Sequence, residues 1–150
     1  MPENTMKIAS STKSIKGPAP LSHSATTFDP YATGYALIKG LDYLKNRLAW
    51  SGTKIAHILH LPANTLNTWI KKGFVPISNN HLQPDVQAII HLLAIHRSLE
   101  AMFENPAHQQ AWISTHHPVL NDIPENLMAE SIEKLIFVRQ YLDYKRGKGA

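Results

Sequence analysis

The chain has 150 residues, 43% of them hydrophobic and 17% charged, and a net charge of +4, a length that fits one compact unit or two small ones. It contains no cysteine, which excludes a disulfide scaffold, a thiol nucleophile and thiolate metal sites and suits a cytoplasmic setting. It also lacks any apolar run of about 18 residues, as a membrane span requires, and Met1 to Ser14 lack the continuous apolar stretch of a secretory signal.

Charge is unevenly distributed. Residues 35–80 carry six cations (Lys39, Lys45, Arg47, Lys54, Lys71 and Lys72) against Asp42 alone, a local balance of +5. In residues 81–130 only Arg97 opposes six acids, a balance of −5, and the last twenty residues return to +3. A basic segment joined to an acidic one predicts two surfaces for two kinds of partner.

Residues 1–34 hold ten Ser/Thr and four Pro with scattered apolar residues. Such a composition buries too little to offset the entropy of ordering it, so a flexible arm is expected, docking through Phe28 and Tyr31. From Gly34 the pattern turns helical. Leu37, Leu41, Leu44 and Leu48 lie on one helix face. After the break at Trp50-Ser51-Gly52, short helices are predicted over 53–59 and 63–72, the second closed by Gly73 and Pro76. Together, residues 35–82 form the first module.

The longest predicted helix covers 85–104, with Pro84 in a first-turn position. It carries two apolar stripes: Val86, Ile90 and Leu93, and then Leu92, Ile95, Leu99, Met102 and Phe103. Burial on more than one side follows, and residues 83–104 are read as a connecting and dimerising helix. Residues 105–150 form a last helical module, with a short helix through Trp112 and Ile113, a loop over 115–122, a turn opened by Pro124 and a final helix capped by Ser131. The fold class is all-α: an N-terminal helical pair joined by a long helix to a small C-terminal helical module.

Residues 52–71 have the pattern of a helix-turn-helix. Ala56 supplies the small residue where the helices cross, and Ile55, Leu59, Leu61, Leu66 and Trp69 hold them together. The turn needs a residue that accepts a left-handed backbone; His60 stands where glycine is usual. Asn64, Asn67, Thr68, Lys71 and Lys72 are then exposed on the second helix, where Asn suits adenine and Lys suits guanine or phosphate. Thr53 and Lys54 are placed to hold a phosphate at the N-terminus of the first helix. This arrangement resembles the helix-turn-helix of the Xre and phage-repressor class.

In the C-terminal module, Trp112, Leu120, Ile123, Leu127, Leu135 and Val138 make a small core. Trp112-Ile-Ser-Thr, Leu120-Asn-Asp-Ile-Pro124, Leu127, Val138, Leu142 and Gly147 resemble the toxin-binding domain of the Xre/MbcA/ParS antitoxins. The resemblance spans 35–147 with both modules in order. It departs from the family at Asn121 and Asp122, where glycine is usual, and at Ser131-Ile-Glu133, where a Glu-Gly pair is common.

Catalysis and metal binding have no support. His57 and His60, one helical turn apart, lack an acidic neighbour, and His116-His117 sit in a loop. Asp42, Asp85 and Glu100 accompany no nucleophile or phosphate loop, and Ser51-Gly52 lacks the preceding strand of a nucleophile elbow. The chain is therefore read as a non-enzyme with no cofactor and no metal.

The resemblance implies an antitoxin that binds a RES-type, NAD-consuming toxin and represses its own operon as a homodimer. Paired half-sites would compensate for the short site that one helix-turn-helix covers. Trp112, Leu120 and Tyr144 would anchor the toxin. The tail (Lys145, Arg146, Gly147, Lys148, Gly149 and Ala150) would plug its cofactor cleft, the two glycines keeping the backbone thin and the terminal carboxylate standing in for pyrophosphate. The alternatives are a free-standing homodimeric helix-turn-helix regulator and an adaptor that binds protein alone.

Overall fold

Asp29 and Pro30 together start the first helix. The computed structural model describes residues 29–77 and 83–149, and within them α1 spans Pro30–Leu48. The Asp29 carboxylate accepts from the Tyr31 and Ala32 backbone N–H groups at 3.1 and 3.2 Å, and Pro30 occupies a first-turn position that costs no hydrogen bond. The helix thus begins inside the expected arm, which corrects its boundary. Phe28 lies outside the described residues, while the Tyr31 ring stands 5.0 Å from that of Phe74.

The next two helices are α2, Gly52–Leu59, and α3, Ala63–Lys72. Ser51 caps α2, its hydroxyl accepting from the Lys54 N–H at 3.1 Å. His60 has φ 61 and ψ 40, the left-handed geometry expected of the turn, and the following Leu61 N–H donates to the Ala56 carbonyl at 2.9 Å. Gly73, at φ 84, ends α3. The chain then returns to α1, where the Val75 N–H donates to the Gly34 carbonyl at 3.1 Å.

Four helices complete the described fold: α4 (Pro84–Met102), α5 (Pro106–Ile113), α6 (Pro124–Glu130) and α7 (Ile132–Gly149). Proline opens three of them, and Ser131 caps the fourth through the Lys134 N–H at 3.1 Å. Among the described residues the only β-type pairing is an isolated bridge between His117 and Asp122. The all-α reading is correct.

Helix α4 is the centre of the molecule, with α7 on one side, α1 on another and α5 near its end. Of its second apolar stripe, Leu92, Ile95 and Leu99 are fully buried within this chain, while Met102 and Phe103 are partly buried. One continuous core runs from Leu37 on α1 to Leu142 on α7.

The segments of opposite charge meet rather than separating into two faces. Arg47 lies 3.7 Å from Glu100, and Lys54 lies 3.3 Å from Glu125. Both pairs join the basic half to the acidic half.

Two histidines are held below the ordinary imidazole value by their surroundings. Burial pushes His96 below its ordinary value, and its Nε2 lies 3.2 Å from the Gln109 side-chain oxygen. Gln109, itself buried, donates onward to the Phe103 carbonyl at 2.8 Å. Burial also pushes His91 down, followed by the nearby Arg139 charge, and the Arg139 guanidinium donates to His91 Nδ1 at 3.1 Å. Because these folded-state values are depressed, the unfolded chain binds more protons as pH falls, and stability must fall with it. Full stability is expected above the ordinary histidine value of 6.5, with progressive loss below. Urea midpoints measured from about pH 8 to about pH 5 check this; a flat profile would contradict it.

Candidate functional site

Two surfaces hold the residues singled out from the sequence. The first is the outer side of α3. Asn64, Asn67, Thr68, Lys71 and Lys72 are all exposed, while Leu66 on the opposite side is buried against α2. Asn64, Asn67 and Lys71 follow a three-then-four spacing and form one stripe. Lys71 and Lys72 make no ion pair among the described residues. The Thr68 hydroxyl donates to the Asn64 carbonyl at 2.9 Å, which engages its proton within the helix.

Thr53 is exposed at the start of α2, as expected. Lys54 is placed differently. Its ammonium lies 3.3 Å from both Glu125 carboxylate oxygens and 5.5 Å from the Trp50 ring centroid. Nothing local in the sequence reveals this contact, since 71 positions separate the two residues.

The second surface is built by the loop after α5, by α6 and by one side of α7. Leu120, Leu127, Glu133, Lys134 and Phe137 line an open groove of about 420 Å³. Leu120 is itself buried, whereas Val119 is 75% exposed, Phe137 44% and Tyr144 62%. Phe137 and Tyr144 are seven residues apart and share a stripe of α7. Neither Val119 nor Phe137 was among the expected binding residues; Phe137 lines the groove, Val119 is the chain neighbour of the lining residue Leu120, and their exposure is visible only in the fold.

Trp112 sits behind this surface. Its ring centroid is 4.6 Å from that of His117, and the His117 Nε2–H donates to the Trp112 carbonyl at 2.7 Å. It therefore holds the loop that presents Val119. Within that loop Asn121 has φ 57, and its N–H donates to the His117 carbonyl at 2.8 Å. Asn121 adopts the backbone for which glycine is the common choice.

The described part of the tail is helical. Helix α7 continues through Gly149, so Tyr144, Lys145, Arg146, Gly147, Lys148 and Gly149 are helical, and Ala150 lies outside the described residues. Open space surrounds Gly147, and near it the Arg146 guanidinium donates to the Ser98 hydroxyl on α4 at 3.2 Å. Lys145 and Gly147 are exposed.

Of the histidines considered for metal binding, His60 and His117 have structural partners. His60 Nε2 lies 3.0 Å from the Met128 carbonyl oxygen, and His117 is bound as described. Among the described residues no group of three or more His, Asp or Glu side chains is gathered to hold a metal ion, and no helix is long and apolar enough to cross a membrane.

Residues 98–148, about a third of the chain, match the model of the antitoxin Xre/MbcA/ParS C-terminal toxin-binding domain. This C-terminal part of the chain is a toxin-binding domain of the Xre/MbcA/ParS antitoxin type. The matched span includes all five residues that line the α6–α7 groove, together with Val119, Tyr144 and the Trp112–His117 support. No curated protein matches the chain. The matched domain takes in α5, α6, most of α7 and the end of α4.

Proposed function

We propose that this chain is an antitoxin that neutralises a RES-type, NAD-consuming toxin through its C-terminal half and represses its own operon through α2 and α3, acting as a helix-turn-helix. The toxin would dock on Val119, Phe137 and Tyr144 around the α6–α7 groove, with Lys145 and Gly147 at the helix end beside it. A rigid helix end, rather than an extended plug, is the form in which the tail would meet the toxin. The RES assignment rests on the order of the two modules, which resembles that of antitoxins paired with such toxins.

The observation that carries the DNA reading is the α3 stripe: two asparagines and a lysine exposed on one face, with Lys72 beside them and, among the described residues, no ion pair to either lysine. Such residues fit base edges in the major groove, and α2 would cross the backbone. A homodimer on paired half-sites completes the reading, since one α3 spans too few base pairs for operator specificity.

Affinity for the antitoxin's own promoter duplex tests this. Asn67→Ala should cost about 1–3 kcal/mol on the specific site and little on random duplex. Lys72→Ala should weaken both alike and reduce the salt slope by about one. Equal promoter affinity in wild type and the Asn64/Asn67 double alanine variant would exclude α3 as the reading helix.

A further inference from the structure

We propose that Glu125 occupies Lys54 in place of a DNA phosphate, so that the toxin-binding half restrains operator affinity. The inference rests on the reading of α2 and α3 as a DNA-binding pair. Lys54 lies in the first turn of α2, the end of a helix that favours anions. In a helix-turn-helix the first helix crosses the DNA backbone, so a cation there is placed to meet phosphate.

In this structure the anion at that cation is internal. Both Glu125 oxygens lie 3.3 Å from the Lys54 ammonium, and the Trp50 ring confines it from another side at 5.5 Å. The Glu125 side chain is 20% exposed and that of Lys54 41%, so the lysine remains open to salt and to an outside anion and the pair is only partly buried. Its geometry is fixed from both ends. Pro124, buried, begins α6 immediately before Glu125, and four residues into the same helix the Met128 carbonyl meets His60 at the far end of α2. Helix α6 therefore lies along α2, with its acid at the end where a phosphate would arrive.

The pair also joins the two functions. Lys54 precedes the toxin-binding match, whereas Glu125 lies inside it. The short α6 that carries Glu125 also contributes Leu127 to the proposed toxin groove. The restraint thus sits on the one element that faces both partners. While Glu125 holds Lys54, one cation is withheld from DNA, and a neighbouring carboxylate repels the backbone.

The test uses the full chain and its own promoter duplex over a salt series. Glu125→Gln should tighten binding at low salt by roughly threefold to tenfold and steepen the slope of log affinity against log salt by about 0.9 per bound chain, the signature of one added phosphate contact. In the Lys54→Ala/Glu125→Gln double variant both gains should disappear. An unchanged slope in Glu125→Gln, or a gain that persists in the double variant, would overturn the proposal. Thermal melting of each variant confirms that the fold is retained. Wild-type binding that depends on Asn64 and Asn67 but ignores Glu125 would refute this inference alone; no promoter binding by wild type or Glu125→Gln would refute the DNA reading with it.

Discussion

Gly34→Ala should destabilise the protein by about 1–3 kcal/mol, an overpacking cost, although alanine is the better helix former. Gly34 is buried in α1, and a Cβ there would overlap the Val75 carbonyl oxygen and come within 3.1 Å of its carbon and 3.2 Å of the Val75 nitrogen. All three are backbone atoms, so no rotamer change relieves the clash. The same nitrogen donates to the Gly34 carbonyl at 3.1 Å, and displacing residue 75 strains that bond as well. Val75 is fully buried and returns the chain from α3 to α1, so the damage should reach the seating of α3.

Gly40→Ala is the matched control. Its Cβ would meet the end of the Leu93 side chain at 3.0 and 3.2 Å, a flexible group that can move. A clearly smaller loss is expected there. Denaturant midpoints of the two variants check this; equal losses would show that the α1–Val75 contact is not special.

Val119→Asp combined with Phe137→Asp should weaken toxin capture by at least about a hundredfold, as loss of central apolar contacts commonly does. Both side chains are exposed, at 75% and 44%, so charging them leaves the core intact. Phe137 lines the groove together with Leu120, Leu127, Glu133 and Lys134, and Val119 directly precedes Leu120 in the chain. An aspartate there would be desolvated on docking with no partner supplied. Thermal stability and promoter affinity should stay near wild type, which separates lost docking from lost folding. Capture at wild-type strength would move the toxin contact to another surface.

Much of this architecture is legible in the sequence because its signals are local. Leu37, Leu41, Leu44 and Leu48 declare one face of α1, and all four are buried. Ser51, Ser131 and the prolines at 84, 106 and 124 mark helix starts by chemistry that acts within a few residues. His60 and Asn121 adopt left-handed geometry in turns, and each is of a residue type tolerant of it. The start of α1 was also encoded, in Asp29-Pro30, but the Ser- and Pro-rich composition before it masks the signal.

What the sequence hides is long-range. Lys54 reads as a free phosphate ligand until the fold brings Glu125 to it, and Arg146 reads as a tail cation until α4 presents Ser98. His96 and Gln109 look like surface polar residues; their burial follows from α5 folding onto α4, and their mutual hydrogen bond makes it tolerable. Gly147 and Gly149 are poor helix formers, yet α7 runs through both.

The central claim is that the α6–α7 surface binds a toxin. Its most direct measurement is co-purification of the tagged full chain with the protein encoded beside it, wild type and the Val119/Phe137 double aspartate variant in parallel. A stable complex with wild type that silences NAD consumption by the neighbour is expected, and none with the variant. A neighbour that consumes NAD unchecked in the presence of excess wild-type chain, or that is never retained by it, would show that this surface binds no such toxin.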